Sequence, residues 1–161
     1  MKKGSLGFTL IELLVVIGVI GILAAIVLVA VNPGRQFAQA RDTQRRSDLY
    51  SITNAIYQFA AEHDGNLPGD DDSLTEHNFP TTATCVGTGG SCFDLANAGE
   101  VDGGSDGADD TIVPTYIADI PTDPSTGTAA NTQYLIHVNE NGRVVASASG
   151  ELTTEPITVE R

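Results

Sequence analysis

The longest hydrophobic run in the chain covers residues 8–31 and contains only two polar side chains, those of Thr9 and Glu12. A helix rises about 1.5 Å per residue, so this run measures about 36 Å and exceeds the roughly 30 Å hydrocarbon core of a bilayer. Two lysines, Lys2 and Lys3, precede it without an acidic residue. The positive-inside rule then keeps the N-terminus in the cytoplasm. We predict one membrane-spanning segment, with the rest of the chain outside.

A second helical pattern follows a break at Asn32-Pro33-Gly34, where proline removes a backbone donor and glycine adds freedom. The pattern resumes near Arg35 and continues to His63, before a Gly/Pro turn ends it near residue 65. Its apolar residues recur at spacings of three and four and form one stripe. The stripe consists of Leu49, Ile52, Ile56, Phe59 and Ala60. Residues 32–65 are therefore predicted to be a kink and an amphipathic helix.

The first half of this amphipathic helix is dominated by charged side chains. They are Arg41, Asp42, Arg45, Arg46 and Asp48. Charged side chains are rarely buried, so we predict that this half is solvated and that only the second half packs on a sheet.

Residues 66–111 show no sustained period, and we predict a long loop there. Strand signals follow over residues 112–161, first at Ile112-Val113 and Tyr116-Ile117. Two alternating segments, 133–138 and 143–148, then flank a turn that ends in Asn-Gly, which is a hairpin signal. Residues 151–161 are predicted to form a further short strand or a tail. The predicted fold is α+β, with three or four antiparallel strands on the apolar stripe.

Charge divides the chain into zones. The formal net charge is −13, and residues 62–161 hold eighteen acidic side chains but only two basic ones, Arg143 and Arg161. Nucleic-acid binding by this acidic body is not expected, because phosphate binding needs clustered lysine and arginine. No arrangement of nucleophile and base, phosphate-binding glycine loop or ordered carboxylate pair is apparent, so an enzyme is not expected.

Both cysteines of the chain, Cys85 and Cys92, lie in the predicted loop. Outside the cytoplasm such a pair favours a disulfide across a short ring. Zinc is the weaker alternative, since its other ligands would come from His63, His77 or His137, which have no metal-type spacing.

A second feature of the loop is its density of carboxylates between residues 102 and 110. The candidate ligands for calcium are Asp102, Asp106, Asp109 and Asp110. The segment lacks the ordered spacing and terminal glutamate of an EF-hand, so a solvated acidic loop remains the alternative. No other cofactor is expected.

Glu12 is the one carboxylate in the apolar run, where a charged side chain costs about 2.5–3.5 kcal/mol. The segment Gly7-Phe8-Thr9-Leu10-Ile11-Glu12 resembles the processing site of type IV pilins and type II secretion pseudopilins. The resemblance implies that residues 1–7 are a leader, which prepilin peptidase removes on the cytoplasmic side after Gly7 before methylating the amine of Phe8. A secretory signal peptide would cut at a site such as Ala38-Gln39-Ala40, but the apolar run is too long for that class.

The resemblance also implies a role for Glu12 in assembly, because its carboxylate would meet the Phe8 amine of a neighbouring subunit. Two further segments are similar to this family, RDTQRRSDLYSITNAIYQFAAEHDGNLP and, more loosely, YIADIPTDP with the hairpin that follows. The pilin fold is thus expected: a long N-terminal helix, membrane-spanning in its first half, packed on the sheet. The long loop would then be the variable outer surface of this fold.

Three functions are compatible with these features. The first is a structural subunit of a type IV pilus, which polymerises with itself. It would sit in the cytoplasmic membrane with its N-terminus inside, pass through an inner-membrane assembly platform and end in an extracellular filament. The second is the major pseudopilin of a type II secretion system. The third, of another class, is a monomeric membrane-anchored surface binding protein. The loop with its cysteine pair favours the pilus.

Overall fold

The structure is a computed structural model that describes residues 7–69, 79–100 and 110–161. The chain separates into two compact units, Met1–Phe37 and Ala38–Arg161. The sequence predicted a membrane-spanning N-terminal segment and a soluble body, and each unit is described below on its own.

The first unit contains helix α1, Leu10–Ala30. This helix is long and apolar enough to cross a membrane, and none of its residues is buried within the protein. It ends at Val31, and the following residue, Asn32, has a positive φ of 39° that interrupts the helix. Helix α2, Pro33–Glu62, then begins with proline, whose missing N–H is not needed in a first helical turn. The helix is therefore interrupted, but at Val31 and Asn32; Pro33 and Gly34, which were predicted to belong to the break, already lie in α2.

The second unit is built around the apolar stripe of α2. All five predicted stripe residues are buried, and Leu49, Ile52 and Ile56 have no exposed surface. Full burial of such side chains stabilises a fold by about 1.5–3 kcal/mol each. The stripe packs in one cluster with side chains from the strands, including Tyr134 and Ile136.

The main sheet has four antiparallel strands in the order β1-β4-β5-β6. These are β1, Thr84–Cys85; β4, Tyr134–Val138; β5, Val144–Ala148; and β6, Ile157–Glu160. A separate pair joins β2, Gly99–Glu100, to β3, Asp110–Thr111. The α+β prediction, with a helix and a four-stranded antiparallel sheet as in the pilin fold, is confirmed.

The predicted hairpin is formed by β4 and β5. Val138 faces Val144, and residues 139–142 make the turn. The N–H of Gly142 donates to the carbonyl of Asn139 over 2.9 Å, and Gly142 has a φ of 75°, which glycine adopts without strain. The side-chain oxygen of Asn139 accepts a further bond from the N–H of Arg143 over 3.0 Å. Asn139 and Gly142 therefore fix the register of the sheet.

One strand prediction is wrong. Ile112-Val113 and Tyr116-Ile117 do not form strands; Ile112–Thr115 is a short helical segment, α3, although Val113 departs from helical backbone angles. Pro114 offers no N–H to a sheet ladder, and the N–H groups of Tyr116 and Ile117 bond to the carbonyl of Ile112 instead. Ile112 is still fully buried, so its hydrophobicity indicated the core correctly but not the element.

The predicted outer loop also contributes to the core. Five of its apolar residues within 79–100 are buried: Phe79, Val86, Phe93, Leu95 and Ala98. The rings of Phe79 and Phe93 pack edge to face, with centroids 5.4 Å apart. These residues are irregularly spaced, so no periodic pattern in the sequence predicted their burial. The described part of the loop is therefore partly a wall of the core and not simply an outer surface.

Candidate assembly site

The processing residues predicted from sequence lie ahead of α1. Gly7 and Phe8 are outside the helix and exposed, with 83 % of Phe8 accessible. Among the described residues, a Cβ atom at Gly7 would meet no other atom within 4 Å, so none of them sterically requires glycine there.

Glu12 belongs to the N-terminal cap of α1. Thr9 is the capping residue, and its hydroxyl accepts a bond from the N–H of Glu12 over 3.3 Å. The carboxylate of Glu12 reaches back and accepts from the N–H and the hydroxyl of Thr9, over 3.2 and 3.1 Å. This reciprocal pair is a capping box, which satisfies helix donors that have no partner within the helix.

The capping box gives Glu12 a role that does not depend on assembly. Its carboxylate stabilises the start of α1 within one chain, so an anchor that never assembles gains from it as well. A capping residue is worth about 0.5–2 kcal/mol. The presence of Glu12 therefore does not distinguish an anchor from an assembly helix. A test of assembly needs one variant that removes only the charge of Glu12 and another that removes only the helix cap.

Two charged side chains of α2 that were predicted to be solvated, Arg45 and Asp48, are instead buried in the second unit. Arg45 is 3 % exposed, Asp48 6 % and Asp123 8 %. The prediction that the first half of α2 is exposed is therefore wrong at Arg45 and Asp48, because both have charged or polar partners from segments far along the chain. We call the connected set around Arg45 the Arg45 cluster. It comprises Arg41, Asp42, Arg45, Asp123, Ser125 and Glu151.

Arg45 uses its whole guanidinium group within this cluster. Its Nε lies 2.5 Å from Oδ2 of Asp123, and its Nη1 lies 2.8 Å from Oδ1 of Asp42. Its Nη2 donates to Oε1 of Glu151 over 2.8 Å and to the hydroxyl of Ser125 over 3.0 Å. Such fixed, multidentate contacts suit arginine and would not survive replacement by lysine.

The acidic partners are held from several directions. Asp42 accepts bonds from the N–H groups of Glu151 and Leu152, over 2.9 and 3.2 Å. Arg41 also bonds to Glu151 through its Nε, over 2.7 Å. The cluster therefore ties α2 to two loops, one before β4 and one before β6. Beside it, the hydroxyl of buried Tyr134 donates to Asp48 over 2.7 Å.

These contacts shift the pKa values of the cluster. Burial raises the pKa of Asp123, but bonds from Arg45 and from the N–H groups of Ser125 and Thr126 outweigh it and leave the pKa below its usual range. The pKa of Glu151 is lowered by its bonds to Arg41 and then Arg45.

The remaining shifts have similar causes. Burial raises the pKa of Asp42, yet the N–H groups of Glu151 and Leu152 together with Arg45 lower it overall. Asp123 is the main cause of the raised pKa of Arg45. The charged forms of all these groups are therefore favoured in the folded protein.

We expect the second unit to lose stability in acid. A carboxylate with a lowered folded pKa contributes stability that is complete above its unfolded pKa of about 4 and is lost as the pH falls through the folded value. Denaturant unfolding of the full chain in detergent, followed by tyrosine fluorescence from pH 7 to pH 2, measures this. The decline should begin near pH 4 and should be smaller in an Arg45→Met variant; equal declines in both proteins would contradict the assignment.

Cys85 and Cys92 form a disulfide, as the sequence predicted, with their Cα atoms 4.6 Å apart. Residues beside the ring continue the sheet edge, since the N–H of Val86 donates to the carbonyl of Tyr134 over 2.9 Å. A Cβ atom at Gly87 would lie 2.5 Å from the carbonyl oxygen of Ala130, so glycine permits this close approach.

Replacing both cysteines by serine should lower the free energy of unfolding by about 2–3 kcal/mol, the loop-entropy estimate for so short a ring. Denaturant unfolding of the full chain with and without reductant measures the change. The untreated protein should also fail to react with a thiol-specific label. Two reactive thiols in protein taken from the cell surface would contradict the disulfide.

The calcium prediction falls largely outside the described residues. Asp102, Asp106 and Asp109 are not described, and of Asp110 only the backbone is, in β3. Among the described residues there is no group of three or more histidine, cysteine or acidic side chains arranged to hold a metal. Calcium binding at 102–110 therefore stays a prediction, which calorimetric titration of the full chain with calcium would test.

Comparison with known proteins places the N-terminal segment in a family. Residues 2–28 match the family described as the prokaryotic N-terminal methylation motif. No curated protein and no solved structure matches the chain. The matched residues include the Gly7–Phe8 junction, the Thr9–Glu12 capping box and most of α1. The N-terminal segment therefore carries the methylation signal of type IV pilins and pseudopilins, and the α+β arrangement of the described residues is consistent with the pilin fold.

Proposed function

We propose that the chain is a structural subunit of a type IV pilus. The observation that carries this proposal is α1 itself, a 21-residue apolar helix with no residue buried in its own protein. Such a surface is unstable in water and needs a cover. Lipid covers it before assembly, and the same helices of neighbouring copies cover it in the filament. The family is generally structural, and we propose no catalytic activity.

Processing prepares this helix for assembly. Prepilin peptidase cuts between Gly7 and Phe8 on the cytoplasmic side and methylates the new amine. The cut lies ahead of α1, so the mature chain keeps the whole helix. No described residue restricts the side chain at position 7, and a narrow protease cleft would account for the glycine there.

Glu12 then selects the neighbour. The cap occupies Oε2 of its carboxylate, and the charge itself is not neutralised by Thr9, which is uncharged. In an apolar helix bundle a lone carboxylate is costly, and the Phe8 amine of a second copy removes that cost by pairing. The inner-membrane assembly platform would add each new subunit to the growing filament through this pairing of Glu12 with Phe8.

The major pseudopilin of a type II secretion system is the alternative to be separated by experiment. Immunogold electron microscopy with antibodies to the acidic body, on cells with and without the gene, tests the choice. Labelled surface filaments that vanish on deletion support the pilus. Unlabelled surfaces together with loss of a secreted protein would identify a pseudopilin, and unlabelled surfaces with secretion intact would favour a monomeric anchor.

A further inference from the structure

Two of the four arginines in α2 have no acidic partner among the described residues. Arg41 pairs with Glu151 and Arg45 lies in the Arg45 cluster, whereas Arg35 and Arg46 are exposed and form no ion pair in the described part of the chain. In a protein with a net charge of −13, arginines without an acidic partner are unusual and point to a partner outside the described residues.

The surroundings of Arg35 are free of negative charge along the chain. No acidic residue occurs between Glu12 and Asp42. Two positions beyond Arg35, Phe37 exposes 64 % of its surface. An exposed phenylalanine two residues from an exposed arginine, directly after an apolar span, is a combination that helices at a membrane–water interface use.

The length of α1 places this pair at that interface. Its 21 residues measure about 31 Å, which matches the roughly 30 Å hydrocarbon core. Arg35 follows the end of α1 by only five residues, so it lies within reach of the headgroup layer, which is about 5–8 Å thick. Side chains of a helix tilt toward its N-terminus, so from the first turns of α2 both side chains point back along the chain toward α1.

We propose that Arg35 and Phe37 bind the outer headgroup layer of an anionic bilayer, with Arg35 on lipid phosphate and Phe37 at the interface. This contact would hold the precursor at a fixed depth until it is extracted for assembly. The inference rests on the membrane-inserted state in the proposed function, but it adds a partner, anionic phospholipid, and names the residues that meet it.

The chain contains no tryptophan, so one introduced residue reports on one position. The full chain with Phe37→Trp is reconstituted in vesicles of phosphatidylcholine alone or mixed with phosphatidylglycerol, and quenching by brominated lipids is measured. A second protein with Ile20→Trp reports on insertion of α1. Arg35→Gln in the Phe37→Trp background removes the cation, and Arg46→Gln, at an exposed arginine farther along α2, is the matched control.

Tryptophan at position 37 should be quenched more in the anionic vesicles than in the neutral ones. In the anionic vesicles, Arg35→Gln should lower the ratio of lipid-quenched to solvent-exposed tryptophan at position 37 about fivefold. Arg46→Gln should leave this ratio unchanged. Solvent-like emission at position 37 with strong quenching at position 20 would overturn this inference and leave the membrane anchor intact. Equal quenching in both vesicles, unaltered by Arg35→Gln, would overturn the role of the anionic lipid. Absence of quenching at position 20 would overturn both the anchor and this inference.

Discussion

Glu12→Gln is expected to abolish surface filaments, whereas Thr9→Ala is expected to leave them. Glutamine at the third helical position still completes a capping box but carries no charge, so this variant keeps the cap and loses the pairing with the Phe8 amine. Thr9→Ala does the reverse. Breaking a buried ion pair costs about 3–5 kcal/mol, which is about two to four orders of magnitude in the equilibrium for adding each subunit. Losing a cap costs only about 0.5–2 kcal/mol.

Electron microscopy of sheared surface material, with immunoblots of the membrane fraction as a control for expression, measures the outcome. Both variants should be present in the membrane and processed at Phe8. Normal filaments with Glu12→Gln and none with Thr9→Ala would show that the cap matters and the charge does not. That result would refute the proposed pairing between subunits.

Arg45→Met should lower the free energy of unfolding of the second unit by about 3–5 kcal/mol, because it leaves Asp123 buried without its cation. The matched control is Arg46→Met. Arg46 is the next residue on the same helix, is exposed and forms no ion pair in the described part of the chain, so its loss should change stability by no more than about 0.5 kcal/mol. Denaturant unfolding of the full chain in detergent measures both.

Asp123→Asn in the Arg45→Met background tests the cause of this loss. The amide removes the unpaired charge and keeps an oxygen that accepts from the N–H groups of Ser125 and Thr126. Part of the lost stability should return. If Arg45→Met alone costs less than about 1 kcal/mol, or if Asp123→Asn destabilises it further, the buried charge is not the source of the effect.

Local patterns predicted much of this fold. The apolar run of α1, the interruption after it, the stripe on α2 and the Asn-Gly turn each depend on neighbours within a few residues. The capping box was also within reach of sequence, since Thr9 and Glu12 have the spacing of that motif ahead of an apolar run. The capping box was not predicted because the implied role in assembly already accounted for Glu12.

The Arg45 cluster was not predictable in this way. Arg45 meets Asp123 and Glu151, which lie 78 and 106 residues farther along the chain. A single sequence gives no indication of which distant carboxylates return to a given arginine, and by default a charged helix face is interpreted as solvated. The burial of three loop residues was not predicted for a related reason. Phe79, Phe93 and Leu95 are each isolated apolar residues outside any periodic pattern.

The central claim is that the N-terminal segment is a processed assembly helix, and intact-mass analysis of the chain from purified surface filaments tests it most directly. The account predicts a mature protein that begins at N-methyl-Phe8. Its mass is that of the full chain without residues 1–7, plus one CH2 group for the methylation and minus two hydrogens for the disulfide. A filament protein that keeps Met1–Gly7, or one cut after Ala40, would contradict it. So would purified filaments from which the chain is absent.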